Sequence, residues 1–184
     1  MKEKGGIPGV TGQEMALALD EARQAADRGE VPVGAVLLDA TGAVLARAGN
    51  RVEEWHDPSA HAEMLVMREA VRLRGGQRLA DCTLVVSLEP CPMCAAALAH
   101  FRVGRVVFGA YDPKGGGMEH GPRLPYRAGA LHRPEVAGRV REREPAALLG
   151  TFFAPSRPAG GLTNPASEAA TGPDPCPAVC PQTT

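Results

Sequence analysis

The chain has 184 residues, a formal net charge of -1 at pH 7 and a hydrophobic content of 44%. This length predicts one domain, and the apolar content suffices for a packed core. No apolar run is long enough to cross a membrane, and the charged start at residues 1–4 has no apolar signal-peptide core behind it. Five cysteines do not indicate a disulfide framework, so we expect a cytoplasmic protein with no membrane partner.

Apolar periodicity and turn residues predict alternating helices and strands. In chain order these are a helix over 13–28, strands over 33–38 and 43–48 joined by a hairpin turn, a loop over 50–59, a helix from His61 to Gly75, a strand over 83–88, a helix from Cys91, a strand over 105–110, an edge strand over 139–143 and a helix over 146–153. Ser59 is the predicted N-cap of the His61 helix. The strand–helix–strand order over 83–110 indicates parallel pairing. The predicted fold class is α/β, a three-layer α/β/α sandwich around a mixed five-stranded sheet.

The two ends of the chain differ in composition from its middle. Residues 1–12 are rich in glycine, and we expect a flexible N-terminus there. Residues 154–184 contain seven prolines and no aromatic residue, which predicts a disordered C-terminal tail. Cys176 and Cys180 fall in this tail, in a proline-rich setting that gives little support for a metal site. The folded domain is therefore predicted over 13–153.

The candidate chemistry lies in two short motifs, residues 61–63 (His-Ala-Glu) and residues 90–94 (Pro-Cys-Pro-Met-Cys). Zinc prefers His nitrogen and Cys thiolate ligands, and a catalytic zinc keeps three protein ligands with the fourth position left for water. Cys91 and Cys94 are three residues apart, so they share one face of a helix start. His61, Cys91 and Cys94 are therefore the predicted ligands of one zinc ion, Zn2+.

A structural zinc site is the competing interpretation. Such a site needs a fourth Cys or His ligand, and the nearby candidate, Cys82, stands before an apolar strand as a predicted core thiol. Glu63 has no role in a structural site. A carboxylate beside the ligands therefore favours a catalytic one, with Glu63 as the acid–base group.

Charge is distributed unevenly along the chain. Residues 102–143 hold nine Lys/Arg and four Asp/Glu, whereas residues 1–101 hold ten basic and fourteen acidic residues. A basic C-terminal half is suited to phosphates, which favours a nucleic-acid substrate over a solvated arginine-rich surface.

These motifs resemble those of zinc nucleobase deaminases, whose signature is H-x-E followed by P-C-x-x-C. Beyond the signature, the chain is similar to the bacterial tRNA-specific adenosine deaminases over about residues 13–153. The matching stretches are residues 30–36, 49–51, 56–63, 87–94 and 102–110. Residues 111–134 depart most from the usual pattern of that family.

The resemblance implies a cytidine-deaminase-like fold and a homodimer. It also implies hydrolysis of the wobble adenosine of a tRNA anticodon to inosine, so the partner is a tRNA anticodon stem-loop. By motif position, His61, Cys91 and Cys94 would bind Zn2+, and Glu63 would move protons.

The resemblance also implies substrate-binding residues. Asn50 would hydrogen-bond the flipped base through a donor and an acceptor, and Val31 would pack against the base. Asp112 falls where the family contacts an anticodon-loop sugar. Phe152 and Phe153 match an aromatic pair on the last helix, with Phe153 as the predicted substrate contact.

Two other functions remain open at this point. A small-molecule deaminase acting on guanine, cytosine or a nucleoside would share the zinc motif, but it would need a lid over the pocket instead of basic groups around an open one. A non-catalytic zinc-binding or RNA-binding module would be free to lose Glu63, so the presence of Glu63 argues against it.

Overall fold

The computed structural model describes residues 12–154. The elements are α1 (Gln13–Asp27), β1 (Gly34–Leu38), β2 (Val44–Gly49), α2 (Val52–Trp55), α3 (Ala62–Arg74), β3 (Thr83–Leu88), α4 (Pro92–Phe101), β4 (Arg105–Ala110), a 3-10 turn (Leu124–Tyr126), β5 (Glu135–Ala137) and α5 (Arg143–Phe153). None of the helices within residues 12–154 has the length and apolarity needed to span a membrane. The predicted flexible N-terminus and C-terminal tail, with Cys176 and Cys180, lie outside this range except for residues 12 and 154.

The sheet is mixed and five-stranded, as predicted, with the order β2-β1-β3-β4-β5. Strand β1 is antiparallel to both β2 and β3, while β3, β4 and β5 run parallel to one another. The hairpin between β1 and β2 turns at Asp39, whose Oδ1 accepts hydrogen bonds from the backbone N–H groups of Thr41 and Ala43. This Asx-type turn is the reason the predicted hairpin forms at that point.

Alternate residues of the central strands face opposite sides of the sheet, and helices cover both sides. One apolar cluster joins α1 to Val36 of β1, Val85 of β3 and Val107 of β4. The larger cluster joins α3 and α4 to the alternate positions of the same strands, including Leu37 and Phe108. Both faces are therefore buried, which gives the predicted three-layer α/β/α sandwich.

Strand directions bring two helix starts to one edge of the sheet. Since β2 and β3 are both antiparallel to β1, they run in the same direction and end at the same edge. The Ser87 hydroxyl accepts a hydrogen bond from the N–H of Gly34, which itself pairs with Gly49 at the end of β2. The chain leaves β2 toward α3 and leaves β3 toward α4, so His61 and Cys91 emerge side by side.

Three local predictions were wrong. The predicted edge strand over 139–143 is a turn, because Arg139 and Arg141 have left-handed φ angles of 67° and 55°. The edge strand is Glu135–Ala137, and α5 begins at Arg143, three residues before the predicted start. The predicted loop over 50–59 contains the short helix α2.

A fourth prediction, that Ser59 caps α3, was also wrong. Ser59 does not cap this helix, because its N–H and hydroxyl both donate to Asp57 Oδ1. His61 is the N-cap residue, and its side chain makes no capping bond. Instead, Asn50 Oδ1 accepts a hydrogen bond of 2.9 Å from the N–H of Ala62. The first turn of α3 is thus capped by a side chain twelve residues upstream. The His61 ring takes no part in capping and is free to face the site.

Helix α1 lies against β1 at a glycine. A Cβ added to Gly34 would stand 2.1 Å from the carbonyl oxygen of Ala18 and 2.4 Å from the nitrogen of Ala22. Both atoms belong to the α1 backbone, so no side-chain rotation relieves the contact. Gly76, by contrast, has nothing within 4 Å of its Cβ position and no left-handed φ.

We predict that Gly34→Ala lowers the free energy of unfolding by about 3 kcal/mol, because α1 must shift away from the sheet. The melting temperature should fall by roughly 6 to 12 °C in a chain of this size. Gly76→Ala is the matched control and should change the melting temperature by no more than about 2 °C. Equal melting temperatures for the two variants would contradict this packing.

Candidate active site

The side chains of His61, Cys91 and Cys94 meet in front of two helix starts. His61 is the N-cap residue of α3, Cys91 is the N-cap residue of α4, and Cys94 lies in the first turn of α4. Pro92 occupies the first helical position, where its missing N–H costs nothing. His61 Nδ1 lies 3.6 Å from Cys94 Sγ and 3.8 Å from Cys91 Sγ. The predicted ligand set is thus brought together.

These three atoms fit a zinc ion. All of them lie within 4.8 Å of one another. Zn–N and Zn–S bonds of about 2.05 and 2.3 Å at a tetrahedral angle hold nitrogen and sulfur about 3.6 Å apart, which matches the observed separations. Among residues 12–154 no fourth His, Cys or carboxylate joins this group. Three protein ligands are the number that a catalytic zinc uses.

The electrostatics of the group favour a thiolate. The hydrogen bond from Cys94, followed by the contact with His61, lowers the pKa of Cys91 to about 4. The hydrogen bond with Cys91, together with burial, raises the pKa of the Cys94 thiol. The contact with Cys91 raises the pKa of His61. One negative charge is therefore already held on the sulfur pair, at the positive ends of two helix dipoles.

Glu63 lies beside the ligands and is 3% exposed. Its Oε2 atom is buried and has no hydrogen-bond partner among the described residues. Burial raises the pKa of Glu63 above the usual range of a glutamate. A buried carboxylate oxygen without a partner is costly unless a ligand or water meets it, so this atom is placed to exchange protons with a bound molecule.

The group opens into a cavity of about 520 Å³. This volume is within the usual range for a small-ligand site and suffices for a nucleobase. The cavity wall includes His61, Glu63 and Cys91, and the other lining residues are Gly29, Glu30, Val31, Val33, Asn50, Val52, Glu53, Leu88, Glu89, Asp112 and Phe152.

Three of the four predicted substrate residues line this cavity. Val31 presents an apolar side chain that is 37% exposed. Asn50 is buried, and its Oδ1 is engaged by Ala62, so its amide nitrogen remains as a donor without a partner among the described residues. Asp112 uses Oδ1 to accept hydrogen bonds from Lys114 and Gly115.

The fourth predicted residue, Phe153, does not line the cavity. Phe152 does, and the two rings pack edge to face with centroids 5.1 Å apart. Phe153 is 65% exposed at the end of α5. A contact of Phe153 with substrate would therefore lie outside the cavity. Phe152 forms part of the cavity wall.

Sequence reasoning missed the role of Glu89. This carboxylate is 2% exposed, and its Oε1 accepts hydrogen bonds from the backbone N–H groups of Met118, Glu119 and His120 at 3.2, 2.7 and 2.8 Å. Its Oε2 lies 2.7 Å from His120 Nδ1 and accepts from the N–H of Asp112 at 3.2 Å. Glu89 thus fastens residues 112–120 to the segment that carries Cys91.

The hydrogen bonds of Glu89 decide its charge state. Burial acts to raise the pKa of Glu89, but the N–H groups of His120 and Glu119 and the His120 ring outweigh burial and hold the pKa below its usual range. Glu89 is therefore an anion that organises a loop of backbone donors. The available sequence signal was its position, because Glu89 lies directly between a buried strand and the Cys91 motif.

Glu30 was missed in the same way. It is 1% exposed, and its two carboxylate oxygens accept hydrogen bonds of 2.9 Å from the N–H groups of Val52 and Glu54. These donors belong to the first turn of α2, where a carboxylate is favoured by the helix dipole. Glu30 therefore fixes α2, whose Val52 and Glu53 line the cavity.

Comparison with protein families finds the model of the cytidine and deoxycytidylate deaminase zinc-binding region over residues 11–110. A tRNA-specific adenosine deaminase of Agrobacterium fabrum is 48% identical over 143 residues, which is 78% of this chain and 93% of that protein. A tRNA-specific adenosine deaminase of Bacillus subtilis is 47% identical over 139 residues, 76% of this chain and 86% of that protein.

Two solved structures match this chain over a similar length. A chain from a structural study of A-to-I editing by tRNA:A34 deaminases at the wobble position matches with a TM-score of 0.74 and 47% identity, over 76% of this chain and all of that one. A guanine deaminase from Nitrosomonas europaea matches with a TM-score of 0.67 and 25% identity, over 78% of this chain and 84% of that one.

We predict that Glu89→Gln loosens residues 112–120, because an amide nitrogen cannot accept the hydrogen bonds that one carboxylate oxygen now accepts. Each hydrogen bond to a charged group contributes about 1.5 to 3 kcal/mol, so amide exchange at Met118, Glu119 and His120 should accelerate at least tenfold. Hydrogen exchange followed by mass spectrometry measures this.

Glu119→Gln is the control for this substitution. It makes the same charge change in the same loop, but its carboxylate accepts one hydrogen bond, from the Tyr111 hydroxyl. Exchange at the three amides should stay within about threefold of wild type. Unchanged protection in Glu89→Gln would show that the carboxylate does not hold the loop.

Proposed function

Because this chain belongs to the cytidine and deoxycytidylate deaminase family, and within it to the tRNA-specific adenosine deaminases, we propose that it converts the wobble adenosine of a tRNA anticodon to inosine. The observation that supports this most directly is the unpartnered, buried Oε2 of Glu63 beside the His61, Cys91 and Cys94 group, at the end of a cavity large enough for a base.

The net reaction replaces the exocyclic amine of adenine with a carbonyl, consuming water and releasing ammonia. When bound by His61, Cys91 and Cys94, zinc supplies a water molecule acidic enough to ionise near neutral pH. Glu63 Oε2 would take one proton of the attacking water and deliver it to the purine ring nitrogen next to the reacting carbon. It would then take the second proton, from the hydroxyl now on that carbon, and deliver it to the departing amine as the C–N bond breaks, so both protons of water would pass through this one buried residue.

The cavity wall orients the base. The Asn50 amide nitrogen donates toward an acceptor on the base edge, while its oxygen stays fixed by Ala62. One lone pair of the oxygen accepts from Ala62, and the second would serve the predicted acceptor role on the base. Val31 and Phe152 supply apolar contact with the ring. The target base must leave its stack, which is least costly in a single-stranded anticodon loop.

An RNA substrate is favoured over a free base. The tRNA-specific adenosine deaminases of Agrobacterium fabrum and Bacillus subtilis are 48% and 47% identical to this chain, whereas the guanine deaminase from Nitrosomonas europaea, over a similar share of the chain, is 25% identical. The enzyme would recognise the anticodon stem-loop, act as a homodimer and work in the cytoplasm, where its ligand thiolates stay reduced. Asp112 and Phe153 would contact the loop outside the base itself.

The direct test presents purified protein with a synthetic anticodon stem-loop that has adenosine at the wobble position. We expect inosine at that position alone, read by sequencing after single-turnover incubation. Guanine, cytosine and free adenosine, followed by ammonia release in parallel, should react at least about 100-fold more slowly. Faster release of ammonia from guanine or cytosine would assign the site to a small-molecule deaminase with the same ligands.

We predict that Glu63→Gln retains zinc and the fold but lowers single-turnover deamination by about 10²- to 10⁴-fold, toward the upper end because one residue makes several proton transfers. Elemental analysis and quench-flow kinetics measure the two quantities. Glu69→Gln is the matched control, since Glu69 lies on the exposed side of the same helix in a pair with Arg72. Deamination by Glu63→Gln within tenfold of wild type would remove Glu63 from the mechanism.

A further inference from the structure

Residues 120–134 contain three arginines, two histidines and a tyrosine but no acidic residue. Four of these side chains form an exposed group, here called the arginine platform: Arg123, Tyr126, Arg127 and Arg133. Tyr126 ends the 3-10 turn, which packs against α4 with Pro125 buried beneath it. The turn therefore gives these exposed side chains a fixed base.

The tyrosine carries two guanidinium groups. The Arg123 guanidinium carbon lies 5.4 Å from the centre of the Tyr126 ring, and that of Arg133 lies 5.5 Å from it. Both are within the range of a cation–π contact. Arg133 also donates its Nε to the carbonyl of Pro125, which leaves its two terminal nitrogens available. The two guanidinium groups are thus held in place without neutralisation of their charge.

The platform arginines differ from neighbouring arginines in that no described carboxylate pairs with them. Arg105, Arg139 and Arg141 each pair with a nearby glutamate. Within residues 12–154, none of the three platform arginines forms a salt bridge with a carboxylate. Six of the nine basic residues over 102–143 form no salt bridge among the described residues, and three of these six are the platform arginines.

The platform is joined to the metal ligands by backbone hydrogen bonds. The N–H of Gly117 donates to the carbonyl of Pro90 at 2.8 Å, next to Cys91, and the N–H of Leu124 donates to the carbonyl of Gly117 at 2.9 Å. A Cβ on Gly117 would stand 2.7 Å from the nitrogen of Pro92, so the loop lies directly on the start of α4. The step from Leu124 to Tyr126 spans at most about 7 Å, and together with the two hydrogen-bonded steps this keeps Tyr126 within roughly 25 Å of the metal site.

We propose that the arginine platform binds the RNA backbone beside the nucleotide in the cavity, an inference that rests on the proposed function. Guanidinium groups bind phosphate through paired N–H donors, and the Tyr126 ring holds two of these groups in position by cation–π contacts. Each nucleotide of the strand carries one phosphate, so guanidinium groups within roughly 25 Å of the metal site can reach phosphates of nucleotides near the one in the cavity. Charge complementarity selects RNA as the occupant over an uncharged partner surface.

A second copy of the chain is the competing occupant. Burying guanidinium groups without carboxylate partners in a protein interface would leave their desolvation uncompensated. The residues beside the platform that line the groove along α4 include Ala95, Ala99 and Leu131, with no acidic residue among them. A copy that docked through this same groove would therefore bring no countercharge.

The experiment measures binding of a fluorescent anticodon stem-loop over a series of salt concentrations, in a Glu63→Gln background that stops turnover. Arg123→Gln with Arg127→Gln should weaken binding at least tenfold at about 50 mM salt. The log–log salt slope should become shallower by about 1.4, because each contacted phosphate on a single strand contributes about 0.7. Arg23→Gln with Arg72→Gln is the control, which removes two exposed arginines that have carboxylate partners on other surfaces.

The ring is tested separately. Tyr126→Leu should weaken binding about fivefold or more, because it removes the cation–π contacts that hold Arg123 and Arg133, while Tyr126→Phe, which keeps the ring, should bind like wild type. Zinc content and melting temperature serve as checks that all variants fold. If Tyr126→Leu and Tyr126→Phe bind alike, the ring does not position the guanidinium groups for RNA.

Three outcomes overturn the inference. An unchanged salt slope in the double arginine variant removes the phosphate contacts, even when the wild-type enzyme makes inosine as proposed. A change in sedimentation mass with an unchanged slope assigns the surface to contact between copies of the chain. Failure of the wild-type enzyme to deaminate the stem-loop removes the proposed function and this inference with it.

Discussion

The meeting of two helix starts at one edge of the sheet is the constraint on which the site depends. Strands β2 and β3 end side by side, so the chain delivers His61 and Cys91 to the same place. Each of these residues is an N-cap, with an extended backbone that directs its side chain ahead of the helix. The positive ends of both helix dipoles then face the thiolates, the zinc they would hold and any developing anion. Catalytic geometry here follows from sheet topology.

Two buried carboxylates and one amide, none of them a predicted zinc ligand, hold the segments around the site. Asn50 replaces the missing side-chain cap of α3, Glu30 fixes the first turn of α2, and Glu89 gathers the backbone donors of residues 112–120. Each of these polar side chains is buried and hydrogen-bonded to backbone N–H groups. The cavity is therefore lined by loops held by charge-assisted hydrogen bonds. Among the described residues, none of these groups donates a hydrogen bond to Glu63 Oε2.

Sequence patterns predicted what depends on local chemistry. Apolar alternation located four strands of the sheet, Asp39 marked the hairpin, and the spacing of Cys91 and Cys94 identified two ligands on one helix start. Patterns failed where a distant residue intervened. Ser59 has the composition of an N-cap, but Asp57 engages it and Asn50 takes its place.

The same limit explains the other errors. Arg139 and Arg141 adopt left-handed backbone, which no periodicity reveals, so the last strand was misplaced. The burial of Glu89 depends on a loop 30 residues away. Phe152 and Phe153 are adjacent in sequence, so no pattern tells which ring lines the cavity; Phe152 does, and the contact of Phe153 with substrate stays a prediction. The arginine platform likewise required knowledge of which arginines pair with carboxylates.

X-ray absorption at the zinc edge of the purified enzyme tests the central claim most directly, that these two helix starts hold an open, catalytic zinc. The account predicts two sulfur ligands at about 2.3 Å, one imidazole nitrogen at about 2.0 to 2.1 Å and one further light atom from water. Binding of an analogue of hydrated adenosine should change the light-atom shell and leave the sulfur shell intact. A shell of three or four sulfur atoms, or one that no ligand perturbs, would show a closed structural site and contradict the account.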